Sequence, residues 1–114
     1  MSIPSSTVFE DEEQLDEMAE NAKRATALLK ALGHEGRLMI LCYLASGEKS
    51  VTALEDLLSL RQPAVSQQLA RLRADNIITP RRDGKTIYYS ISDERARRMM
   101  ELVYEMFCAE QEQS

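Results

Sequence analysis

The chain has 114 residues, 44% of them hydrophobic and 29% charged, with a formal net charge of −5. A chain of this size is expected to build one domain around one core. It has no apolar run long enough to cross a bilayer, and residues 1–22 are acidic, without the basic-then-apolar order of a secretory leader. The expected location is therefore the cytoplasm, with no membrane partner. Spread evenly, the negative charge would oppose a nucleic-acid partner. It is not spread evenly: nine basic residues against four acidic ones give the stretch from Arg61 to Arg98 a local charge of +5. The acidity gathers instead in Glu10, Asp11, Glu12, Glu13, Asp16, Glu17 and Glu20. Such asymmetry predicts a basic binding face and a solvated acidic start.

Residues 1–10 read as a disordered tail, 11–109 as the folded domain and 110–114 as a second tail. From about Asp11 to Leu32 the pattern is helical, with Leu15, Met18, Ala22, Ala25, Leu28 and Leu29 recurring at three- and four-residue steps. Gly33 ends it. A second helix is expected over Glu35–Ala45, nearly all buried through Leu38, Ile40, Leu41, Cys42 and Leu44, with Gly47 as its stop. Ser50 is a good N-cap for a short third helix, Val51 to Ser59. Pro63, suited to a first helical position, opens a fourth that ends near Asp75–Asn76.

On a wheel of 100° per residue the fourth helix turns Val65, Leu69 and Leu72 to the core. Gln67 and Arg71 lie opposite, with Ser66 and Gln68 on the flanks. Glutamine can bond both N6 and N7 of adenine, arginine O6 and N7 of guanine, and serine a phosphate or base edge. Ser66, Gln67, Gln68 and Arg71 are therefore the candidate base readers, and Arg61 and Arg73 candidate phosphate contacts. Taken alone, such a surface is equally that of an ordinary solvated helix.

Ile77–Arg82 and Thr86–Ile91 read as two strands around Asp83–Gly84, a strong hairpin signal. Alternation puts Ile87 and Tyr89 on one face and Tyr88 on the other. Arg81, Arg82 and Lys85 around the tip could reach phosphates or a minor groove, although a basic hairpin can also be a merely solubilised edge. Ser92 or Asp93 caps a last helix to about Ala109, with an apolar stripe of Met99, Leu102, Val103, Met106 and Phe107. The order ααααββα, mainly α with a β-hairpin wing, and the basic hairpin after two short helices predict a winged helix-turn-helix that binds double-stranded DNA. Enzyme chemistry is not expected: there is no Ser/His/Asp set, no phosphate-cradling glycine loop and a single histidine.

The segments LLKALGHEGRLMILCYL (Leu28–Leu44), SVTALEDLL (Ser50–Leu58) and RQPAVSQQLARLRADNIITPRRDGKTIYYSI (Arg61–Ile91) resemble the arsenic-repressor (ArsR) family of winged-helix repressors. The resemblance implies a homodimer through the first and last helices, bound to a palindromic operator. The long apolar first and last helices suit that role independently, since so small a monomer cannot bury both. One departure is Glu35–Gly36, where the family usually has a proline; it touches a helix start and not the DNA face.

Metal-sensing relatives carry a Cys-x-Cys motif in the third helix or Asp/His ligand pairs on the last. Here the third helix reads TALEDLL, and the one histidine, His34, suits a cap or a packing position. No metal and no cofactor is expected. Cys42 and Cys108 are the two cysteines. They are either inert apolar packing residues or a redox pair tying two framework helices. MILCYL and YEMFCAEQE resemble the sulfide-responsive branch of the family. That resemblance implies a Cys42/Cys108 dithiol that low-molecular-weight persulfides convert to a bridge of three or more sulfurs, weakening operator binding. The alternatives are a general thiol-oxidation sensor, an arsenite sensor, or a module that binds protein through its acidic start.

Overall fold

The computed structural model describes residues 12–58 and 64–109, so both predicted tails, Arg61 and Pro63 lie outside the described residues. The element order is α1 (Glu12–Leu32), α2 (Glu35–Ala45), β1 (Lys49–Ser50), α3 (Val51–Leu58), α4 (Val65–Ala74), β2 (Ile78–Asp83), β3 (Thr86–Ile91) and α5 (Glu94–Phe107). Two compact units divide the chain, the first ending at Lys30 and the second beginning at Ala31. In the first, α1 opens on Glu12 and Glu13, where carboxylates meet the positive end of the helix dipole, and closes with Lys30 in its last turn. Its Leu15, Met18 and Leu29 are exposed.

The second unit sets helices against a small antiparallel sheet of order β1-β3-β2. Its core joins Ile40, Leu41 and Leu44 of α2, Leu54 and Leu58 of α3, Val65, Leu69 and Leu72 of α4, and Ala96 and Met100 of α5 to Ile77, Ile78, Tyr89 and Ile91. Every helix boundary expected at a capping residue has a chemical cause. The His34 ring accepts at Nδ1 from the Gly36 and Arg37 amides, 3.1 and 3.4 Å away, which makes it the N-cap of α2. Ser50 Oγ accepts from the Ala53 amide at 3.0 Å, and Asp93 Oδ1 from the Ala96 amide at 3.0 Å.

Asn76 ends α4 in the left-handed region (φ 59°). Its amide donates to the Arg73 carbonyl and the Ile77 amide to the Leu72 carbonyl, each at 3.0 Å. This is the Schellman pattern, sealed by contact-ready Leu72 and Ile77, both buried.

Three sequence expectations about the elements are corrected. Lys49–Ser50 forms a strand, pairing with Tyr89 and Tyr88, so the wing belongs to a three-stranded sheet rather than to an isolated hairpin. Asp83 pairs with Thr86, which moves the turn to Gly84–Lys85. Gly84 carries the positive φ (63°) that the first position of such a two-residue turn demands. The fourth helix begins later than expected, at Val65, because Ala64 sits in the left-handed region (φ 66°), outside helical geometry, and it makes no side-chain cap. In α5, burial falls on Ala96 and Met100, while the apolar stripe keeps Leu102, Met106 and Phe107 exposed, Phe107 at 65%.

Candidate nucleic-acid interface and dithiol pocket

The core face of α4 is the one expected: Val65, Leu69 and Leu72 are buried. That rotation leaves Ser66, Gln67, Arg71 and Arg73 exposed along the outer side. The eight described DNA-facing candidates are not equivalent, however. Arg71 Nε lies 3.1 Å from Asp75 Oδ2, one turn further on. Gln68 is half-buried, and its Oε1 accepts from Arg37 Nη1 of α2 at 3.2 Å. Arg81 makes a two-point fork with Glu48 and lies over the Tyr88 ring, 4.7 Å from its centroid. Arg82 and Lys85 are exposed at the hairpin tip, and among the described residues neither joins a salt bridge. The ninth, Arg61, is outside the described residues. Sequence reasoning missed Arg37 and Glu48, whose partners lie 31 and 33 positions away; no local pattern reports such a pairing.

The cysteines also differ from expectation. Turning Ile40, Leu41 and Leu44 inward leaves Cys42 on the opposite side of α2, where it is exposed rather than buried. Cys108, the residue that closes α5, is half-buried. Both line one open pocket of about 570 Å³ between α2 and α5, together with Tyr43, Ala45, Ser46, Met100, Glu101 and Tyr104. Although Cys42 keeps solvent access, its partial desolvation in the pocket, and then the charge of Cys108, push its thiol above the ordinary range. The neighbouring turn is held by Ser46, whose hydroxyl donates to the Tyr43 carbonyl at 2.9 Å and accepts from Lys49 Nζ at 3.3 Å. No group of three or more His, Cys, Asp or Glu side chains placed to hold a metal occurs among the described residues.

A short helix, a second helix with a polar outer face and a basic hairpin on a three-stranded sheet define a winged helix-turn-helix DNA-binding protein. Residues 34–79 match the model of the arsR family of bacterial regulatory proteins. The chain is 45% identical over 98 residues to the biofilm growth-associated repressor of Agrobacterium fabrum, a match spanning 86% of this chain and 84% of that one. It is similar to reduced HlyU from Vibrio cholerae, with a TM-score of 0.76, 41% identity and coverage of 81% of this chain and 97% of that structure. A homodimeric winged helix-turn-helix DNA-binding domain from Mycobacterium bovis superposes with a TM-score of 0.69 at 29% identity, covering 87% of this chain and 92% of that one. The chain belongs to the arsR family of bacterial regulatory proteins, and it is a DNA-binding transcriptional regulator, not an enzyme.

Proposed function

We propose that the protein is a cytoplasmic, homodimeric repressor whose affinity for a palindromic operator is set by the Cys42/Cys108 dithiol, with low-molecular-weight persulfides as inducers. The observation that carries this reading is the pocket the two cysteines share on α2 and α5. Repression is supported by the name of the Agrobacterium fabrum relative. Homodimer formation is supported by the exposed apolar residues of α1 and α5 and by the homodimeric state of the Mycobacterium bovis domain. In this reading Ser66, Gln67, Gln68 and Arg71 read bases, and Arg61, Arg73, Arg82 and Lys85 hold phosphates, with Arg81 joining them once Glu48 releases it.

The sulfur chemistry balances with persulfide as the only oxidant. A thiolate takes the outer sulfur of a persulfide, RSSH, giving a protein persulfide and RSH. When both cysteines have reacted, one protein persulfide attacks the other. A three-sulfur bridge forms, and the displaced terminal sulfur leaves as H2S. A direct disulfide closes only when the Cα atoms are about 4.4–6.8 Å apart; a longer bridge relaxes that requirement and so favours persulfide over other oxidants. A raised thiol pKa lowers the thiolate fraction while increasing the nucleophilicity of the thiolate that remains.

The test is the intact mass of the protein after persulfide, disulfide or peroxide, with operator binding measured on the same samples. An added-sulfur crosslink joining Cys42 to Cys108, weakening operator binding, is the expected result. A two-sulfur crosslink alone, or full induction in Cys42→Ser, rejects it. Arsenite is disfavoured because it usually takes three sulfurs and each chain has two cysteines.

A further inference from the structure

Gln68 differs from its neighbours on α4 in having its side chain engaged from another helix. Arg37 Nε donates to the Ala31 carbonyl at 2.7 Å, and Nη1 of the same guanidinium donates to Gln68 Oε1 at 3.2 Å. Anchored at two points, the planar guanidinium has a set position and offers only donors. It therefore takes the carbonyl end of the Gln68 amide and turns the NH2 end away from α2.

We propose that Arg37 is a positioning residue that makes Gln68 a hydrogen-bond donor toward the major groove, so that the base pair facing Gln68 is read as guanine. An unrestrained glutamine suits adenine, accepting from N6–H2 while donating to N7. With Oε1 held by Arg37, adenine N6–H2 meets a donor instead. Guanine puts the acceptor O6 where adenine puts the N6 donor, with N7 an acceptor beside it, so the Gln68 NH2 finds an acceptor there. Gln67, exposed and on the outer side of α4, keeps both ends of its amide for a different base. The inference rests on α4 being the helix that reads DNA.

The experiment uses the full-length reduced protein, a pool of duplexes randomised over the operator, and sequencing of the bound fraction. Wild type is expected to select guanine at one position of each half-site. Gln68→Glu keeps the Arg37 bond but replaces the donor end by an acceptor, and the selected base should change to cytosine, whose N4 donates. Arg37→Met frees Oε1 and should cut the guanine-over-adenine preference at that position by roughly tenfold, the scale of one directed base contact, with other positions unchanged. In a Gln68→Met background, adding Arg37→Met should alter no base preference.

Uniform weakening of every duplex by Arg37→Met, with preferences intact, overturns the inference and leaves α4 as the reader. Wild-type binding by both Gln68→Met and Gln67→Ala overturns the premise itself. If circular dichroism shows that Arg37→Met does not fold, Gln68→Glu decides: an unchanged base at the guanine position overturns the proposal.

Discussion

Glu48 and Arg81 grip each other at two points across 33 positions of chain: Arg81 Nε lies 2.9 Å from Oε2 and Nη2 lies 2.7 Å from Oε1. The fork ties the wing to the turn that follows α2, and it occupies donors that a phosphate would otherwise take. Exposed ion pairs contribute little to stability, so the effect of Glu48→Gln should appear in DNA binding rather than in melting temperature. Released Arg81 should add about one phosphate contact, steepening the slope of log K against log salt by roughly 1. Operator titrations over a salt series measure this directly. The Arg81 hydrogen bond holds the Glu48 carboxyl below its ordinary value. Because that pKa is lowered, the fork's contribution is complete above about pH 4.3 and fades only on further acidification. The effect of Glu48→Gln should therefore be the same at about pH 6 and about pH 8.

The Cys42 thiol is pushed up by partial desolvation and then by Cys108. Timed alkylation followed by mass spectrometry should find Cys42 slower than free cysteine near neutrality, gaining about tenfold per pH unit until its raised pKa is passed. Cys108→Ser removes the smaller cause, so it should speed Cys42 without bringing it to the free-cysteine rate. The stability sign follows from the same shift. A raised thiol pKa adds stability that is complete below about pH 8.5 and is lost as pH climbs through the raised value. Cys42→Ser should flatten that alkaline decline in a urea-unfolding series.

Helical periodicity in the sequence was enough to orient α4, because Val65, Leu69 and Leu72 repeat at the helical step and all three are buried. Ser50 and Asp93 were readable as caps because capping is a local bond between a side chain and an amide two or three residues on. What stayed hidden was decided at long range. A strand of two residues has no periodicity to detect, and β1 exists only because Tyr88 and Tyr89 lie beside it. Arg81 and Gln68 looked alike as free polar groups until Glu48 and Arg37 were found against them. The stripe on α5 was visible, but periodicity shows that a face is apolar without saying whether the same chain or another one covers it.

That stripe gives a third prediction. Leu102, Met106 and Phe107 are exposed while Met100 of the same helix is buried, so a charge at the exposed positions should spare the monomer fold and oppose self-association. Met106→Glu is expected to lower dimer content at micromolar concentration and weaken operator binding by at least tenfold, the scale of a charge left unpaired at an interface centre. Sedimentation velocity with circular dichroism separates this from unfolding. A stable dimer of unchanged affinity would place the interface elsewhere.

Asn76 supplies a test of backbone chemistry. Its left-handed φ of 59° closes α4, a conformation that costs most residues roughly 1–2 kcal/mol and glycine almost nothing. Asn76→Gly should be neutral or slightly stabilising in urea unfolding. Asn76→Ala should lose about 1 kcal/mol, and Asn76→Val more.

The sheet that carries the wing also governs how molecules of this protein meet at high concentration. Its central strand β3 is paired on both sides. One outer strand, β1, is only two residues long and passes at once into α3. The other, β2, carries Pro80, which has no amide hydrogen to offer, followed by the charged run Arg81, Arg82 and Asp83. Neither edge gives an incoming strand a long, flat, apolar ladder to extend. A protein that must expose apolar helix surface can in this way remain safe from fibrous aggregation, with strand exchange closed off at both borders of its smallest structural layer.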